Sequence, residues 1–496
     1  MYEAVMLANL LLWIIMAVLF IRQPAASAFH PFAFYLAFHF LVFVIRPPLV
    51  YYRGYDLIYT AYQFQPSMAE KTTALLATML GLIAFGLTNL HIARTPISFS
   101  RGRVDEIMRN RLGKPFLLMA LLLAPVAVYS MLTSWATDIS GAGQMITDSA
   151  TGIAVNTQSN GYFYESRLML GPIAVIFAWI TRFRWYSFIP LILFIILGGG
   201  TGTRGPFMLA AVAMGLIWLY ESRRLWPSAK MVLAGLVVLG VFNLVGQDRG
   251  YAVRGLFVEE QVESWESEGD ARFLEGMDAG NLEYMEYLTY AIPERTGTYT
   301  YFLGNLQALT EPVPRVLWEG KPLGEPIKFF SLFDYGTPMG MTRSLPGEGW
   351  YSLGFAGVFL WCALFGGVWG AFYEYFARGR PTNLRLLAYM ILLPLSILFY
   401  RDGVLVTMLR FLIFLVFPLI VLNLSMRLLG VRTPRLTSGG MGSGDAPAAL
   451  SAVGSGHVSQ AAPNRAQKAR LAAPTAIARK LPRAYRSRNL AAGPRR

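Results

Sequence analysis

Apolar runs of bilayer length fill most of the first 430 residues and leave the chain few ways to fold. They lie at about 4–21, 31–50, 72–92, 115–133, 168–181, 186–202, 205–220, 230–246, 350–376, 386–400 and 404–426. In hydrocarbon each backbone N–H and C=O must be bonded inside its own segment, so runs of this length are helices. The expectation is an all-α polytopic membrane protein with about eleven transmembrane helices. Several runs are short against a ~30 Å core; they tilt little, or sit where protein replaces lipid. The N-terminus, MYEAVMLANLLLW, lacks a basic n-region and a small-residue cleavage site, and reads as a retained first span.

Short-loop charges orient the bundle. Loop 93–114 carries Arg94, Arg101, Arg103, Arg109, Arg111 and Lys114; loops 182–185, 221–229 and 377–385 add Arg182, Arg184, Arg223, Arg224, Arg378, Arg380 and Arg385. With eleven spans threaded, all of these loops and the C-terminus share one side, which the positive-inside rule makes cytoplasmic. The N-terminus, loops 51–71 and 134–167, the turn at Arg204, and Arg401-Asp402 then lie outside, in the periplasm.

The domain layout follows: transmembrane helices 1–8 over 1–246, one large periplasmic loop over 247–349, helices 9–11 over 350–430, and a disordered basic cytoplasmic tail over 431–496. From residue 431 on there are twelve Lys/Arg against one acid, amid Ala, Pro, Gly and Ser. This composition suits a tail lying near anionic lipid better than a nucleic-acid binder. The large loop is acidic, with seventeen Asp/Glu against eight Lys/Arg between 247 and 348. Its first part, 257–292, reads as one or two amphipathic helices with Glu259, Glu260, Glu263, Glu266 and Glu268 on a solvated face. Its second part is irregular and folds onto the span ends. Cys362 is the one cysteine and none of the four histidines lies in this loop, so an intrachain disulfide, a His-based zinc site and a Ser-His-Asp triad there are excluded. The spread of the acids gives no metal site, and no cofactor is expected.

Basic residues outside the membrane run against the charge bias, so each needs a reason. Arg204 sits in GGGTGTRGPF, where glycines and Pro206 would free backbone N–H groups beside the guanidinium, a setting for an anion; the alternative is a snorkelling or carboxylate-paired arginine. Arg249 and Arg254 lie at headgroup level in GQDRGYAVRG, suited to a phosphate or paired with Asp248. Arg315 and Lys321 flank Trp318 in PRVLWEGKP; the indole either stacks on a sugar or anchors the loop at the interface. Arg343 and Glu348 share RSLPGEGWYSLG, just before the span near 350. There a carboxylate in a partly dry turn can accept a sugar-hydroxyl proton, or interact with the helix dipole.

Three stretches, TGTRGP at 201–206, PRVLWEGKP at 314–322 and the Pro346-x-Glu348-x-x-Tyr351 turn followed by glycines to 357, carry a resemblance. With the span layout and the outer loop after span eight, residues 1–430 resemble the Wzy-type O-antigen polymerases, GT-C-like integral membrane glycosyltransferases. The resemblance implies polymerisation of undecaprenyl-pyrophosphate-linked oligosaccharide repeat units at the periplasmic face of the bacterial inner membrane. It implies no metal ion, no nucleic acid, and a chain-length regulator as a candidate partner. Arg204, Arg249, Arg254, Arg343, Arg315 and Lys321 would hold pyrophosphate, Trp318 would stack on sugar, and Glu348, or second Asp248, would be the base. Two rival readings stand beside it. An O-antigen ligase usually relies on an outer-loop histidine, which this loop lacks. A flippase needs charged residues lining a path through the spans, whose interiors here are nearly free of charge.

Overall fold

The computed structural model describes residues 1–99, 109–140, 145–147, 154–156, 161–199, 205–233, 235, 275, 280–313, 317–318, 321–322, 324–338, 342–379 and 382–431. The chain divides into a unit Met1–Arg435 and a unit Leu436–Arg496; the expected tail and the 257–268 acidic face lie outside the described residues.

All but one of the longer helices follow the apolar runs. The helices are α1 (Tyr2–Ile21), α2 (Pro31–Arg53), α3 (Met68–Ile92), α4 (Gly113–Ser140), α5 (Leu170–Ile180), α6 (Ile189–Gly199), α7 (Gly205–Glu221), α8 (Asn281–Ala291), α9 (Leu345–Arg378), α10 (Asn383–Asp402) and α11 (Leu405–Leu428). A two-stranded antiparallel ribbon, Met145–Thr147 with Ala154–Asn156, interrupts the helical pattern between α4 and α5. Among the described residues seven helices are long and apolar enough to span: α1, α2, α3, α4, α9, α10 and α11. The runs expected at 168–181, 186–202 and 205–220 are helical but shorter, and the run at 230–246 lies mostly outside the described residues. The 11 residues of α5 rise only about 17 Å. Its flank is covered by protein, with Ile173, Ala174, Val175, Ile176, Ala178 and Trp179 all buried, so its backbone does not have to match the thickness of the lipid.

The closest helix pair is α3 with α9. Gly366 lies so near the Phe85 backbone that a Cβ there would stand 2.5 Å from the carbonyl oxygen, and Asn89 Nδ2 donates to the Gly366 carbonyl at 2.8 Å. A small residue that admits backbone contact, with a side-chain amide across it, is how helices pair where apolar burial gives no preference over lipid.

The two ends of the bundle differ in charge, as the loop arithmetic expects. At one end Tyr373 donates to the Thr95 carbonyl, Ala28 N to the Leu225 carbonyl, and Arg109 pairs with Glu221, which gathers the basic loops. At the other, Arg46, loop 57–70, the described residues between 275 and 348, and Arg401-Asp402 come together. Here α8 is the described end of the stretch read as amphipathic, and ten of its eleven residues are buried. Glu283 takes both carboxylate oxygens to Arg46 at 2.7–2.8 Å, with both side chains almost fully enclosed. Glu286 accepts from the Tyr59 hydroxyl through Oε2, while its buried Oε1 has no partner among the described residues. The acids of α8 thus dock the loop onto the spans.

Two outcomes follow for stability. Truncating one member of a buried ion pair strands the other, so Glu283→Ala should cost about 3–5 kcal/mol, and the double variant R46M/E283L should recover most of it, measured by unfolding in detergent. Burial, opposed by Lys71, raises the Glu286 carboxyl from 4.5 to about 7. The folded protein therefore binds the extra proton. Its contribution is full below pH 4.5 and falls by about 3 kcal/mol as pH rises to about 7; Glu286→Gln should flatten that slope.

Candidate functional site

The site forms where the start of α9 meets the end of α10. Ser344 caps α9, its hydroxyl accepting from Gly347 N at 3.3 Å, and holds φ at +65°, a conformation that costs a non-glycine residue energy and is concentrated at functional positions. The Ser344 N–H donates to the Arg401 carbonyl at 2.8 Å, which also accepts from Asn281 Nδ2 and Thr342 Oγ1, each at 3.0 Å. One carbonyl thereby ties together α8, the strand entering α9, and α10.

α9 is broken early. Leu353 and Gly354 leave helical geometry, Gly354 with φ +58°. A Cβ on Gly349 would stand 2.6 Å from the Val358 Cα, and one on Gly357 would collide with the Gly349 carbonyl oxygen. Along a straight helix residues 349 and 358 would be about 13 Å apart. The segment 345–352 therefore folds back on the span that follows it, and the glycines of the sequence motif are the surfaces that touch. This fold-back carries Glu348 inward, where the residue is 1% exposed.

Arg343 organises what surrounds it. Its Nη1 donates to Glu348 Oε2 at 2.9 Å and its Nη2 to Glu325 Oε1 at 2.6 Å. The guanidinium lies 3.7 Å from the Tyr351 ring centroid, and the Tyr351 hydroxyl donates to Glu325 Oε2 at 2.9 Å. Tyr284 of α8 feels the Arg343 charge, but burial pushes its phenol up. Glu348 Oε1 accepts from Asn305 Nδ2 at 2.8 Å, and Asn305 Oδ1 accepts from the first N–H of α11 at 3.3 Å. Burial opposes the charge on Arg343, but Glu325 foremost, then Tyr351 and Glu348, hold it firmly protonated. One fixed cation thus faces two carboxylates. Chemically, the arrangement offers a dry carboxylate oriented by a fork and an amide, with a second, less buried acid that can let go.

Of the sequence candidates, Arg343 and Glu348 are brought together. Lys321 bonds Glu311 through that residue's carbonyl at 2.9 Å and carboxylate at 3.5 Å, and Trp318 beside it is 39% exposed. Arg204, Asp248, Arg249, Arg254 and Arg315 lie outside the described residues. Sequence reasoning missed Glu325, Asn305 and Tyr284. Tyr351 was visible in the Pro-x-Glu-x-x-Tyr turn, but its partner Glu325 lies 26 residues away and only the fold supplies it. No cluster of three or more metal-ligating side chains occurs among the described residues.

No curated protein and no solved structure matches the chain. A family model described as "O-antigen polysaccharide polymerase Wzy" matches residues 1–429, which takes in every span and the whole Arg343 cluster. The chain is a multi-pass membrane protein that belongs to the O-antigen polysaccharide polymerase Wzy family, whose members polymerise lipid-linked repeat units.

Proposed function

We propose that this chain joins undecaprenyl-pyrophosphate-linked oligosaccharide repeat units at the periplasmic face of the inner membrane, with Glu348 as the base. The observation that carries this is the enclosed Glu348 carboxylate, held by Arg343 and Asn305 at the end of the bundle opposite the basic loops. The acceptor hydroxyl attacks the anomeric carbon of the donor. Its proton passes to the Glu348 carboxylate as the new C–O bond forms, and the bond to the polyprenyl pyrophosphate breaks with its electron pair on the leaving phosphate.

The leaving diphosphate needs fixed cations. Arg204, Arg249, Arg254, Arg315 and Lys321 are the ligands we propose, with Asp248 as the alternative base and Trp318 as a stacking surface for sugar. Arg343 has its fork filled by two carboxylates, so it takes part by exchanging Glu325, the more exposed of the two, for a phosphate oxygen. Gly304 packs against the Glu325 carboxylate, and Asn305 covers Glu348. Gly304, Asn305 and Glu325 must therefore shift for the acceptor to reach the base. No cofactor is required, and a chain-length regulator would act from outside this site.

Complementing a deletion strain and resolving the surface glycan by length tests the reading. Glu348→Gln keeps size and hydrogen bonding but cannot take the proton, so it should cut elongation at least about 100-fold and leave single-repeat glycans. Normal-length polymer from E348Q would remove it as the base. Asn305→Ala should shorten the polymer about tenfold while the protein stays in the membrane at wild-type level, since it loses one hydrogen bond to the carboxylate. Lipid-linked polymer that is complete but unattached would indicate a ligase, and loss of all surface repeats a flippase.

A further inference from the structure

At the basic end of the bundle, far along α9 from Glu348, an open surface groove of about 340 Å³ lies between the ends of α3 and α9 and the start of α10. Ile92 and Ala371 give it an apolar floor, and Tyr375, Arg378 and Arg385 form its rim. The Arg385 guanidinium lies flat on the Tyr375 ring, 3.7 Å from the centroid. It packs so closely on Gly379 that a Cβ there would collide with it. A planar cation is thus clamped between a phenol and a bare backbone, with its edge left to bond.

Among the described residues no carboxylate pairs with Arg385, and its buried Nε has no hydrogen-bond partner. The one acid in the groove, Glu374, is already committed. It accepts from the Thr95 hydroxyl, from the Arg94 and Thr95 backbone N–H groups at 3.2 Å, and from Arg378. The groove therefore keeps a net positive charge above an apolar floor. A clamped fork of N–H donors fits a phosphate diester, and the floor fits the first methylenes of an acyl chain. Basic pockets between spans at the positive side of a bundle are where anionic headgroups lodge.

We propose that this groove binds the headgroup of an anionic glycerophospholipid, at a site separate from that of the lipid-linked sugar. The delipidated full-length protein, in non-ionic detergent, is unfolded thermally with dioleoylphosphatidylglycerol, with dioleoylphosphatidylcholine, or with inorganic phosphate. Phosphatidylglycerol should raise the midpoint by about 5 °C, and the other two by no more than about 1 °C. Arg385→Gln should abolish the difference. Gly379→Ala, at an ordinary φ, keeps the charge but displaces the guanidinium, and should abolish it as well. Equal shifts with both lipids, an undiminished phosphatidylglycerol shift in both variants, or the same shift from inorganic phosphate would overturn the proposal. Native mass spectrometry of the wild type in an equimolar lipid mixture reads the same preference without a variant. At least about tenfold more phosphatidylglycerol than phosphatidylcholine should remain bound, and equal retention overturns it.

Discussion

A charge brought below the headgroup plane must find its partner inside the protein, and at the acidic end of this bundle the partners come from different stretches of chain. Arg343 shows the result. It joins Glu325 of the irregular loop, Glu348 of the fold-back segment, Tyr351 one turn later and Tyr284 of α8. Remove any one of these stretches and the others are left with an uncompensated buried group. The same logic governs Arg46 and Glu283, which fasten α8 to α2 across more than two hundred residues of sequence. Association between the loop and the spans is thereby specified by electrostatics in a setting where apolar contact alone would not discriminate between neighbours.

The span pattern was largely legible because bilayer-length runs and basic short loops are local signals. The ends of the bundle also sorted as the charges require, with Thr95, Arg109, Glu221, Leu225 and Tyr373 at one end. The burial of α8 was not legible, because nothing local announces that Glu283 and Glu286 meet Arg46 and Tyr59. The runs read as spans at 168–181, 186–202 and 205–220 form shorter apolar helices among the described residues, since hydropathy fixes where a helix lies better than how long it is.

The site was legible in half. RSLPGEGWYSLG announced a carboxylate at a tight turn next to a span, and Arg343 with Glu348 is the pair that forms. Asn305 and Glu325 carry no such mark. They sit in a Pro/Gly/aromatic stretch without period, and their value comes from the tertiary contact of Gly304 and Asn305 with the mouth of α9 and α11. Neutral residues that orient a charged one are the least visible class in any single sequence, because their chemistry belongs to the partner.

The seam between Gly349 and Gly357 divides labour along the chain. Main-chain atoms touch there directly, so the hinge carrying the carboxylate tolerates no side chain and leaves no room for drift. The described residues of the neighbouring loop are exposed at Tyr301, Leu309, Trp318 and Phe329. Under the proposed function, bond making would belong to the rigid hinge and sugar choice to the neighbouring loop, so a new repeat unit could be accommodated by rewriting the second while the first stays as it is.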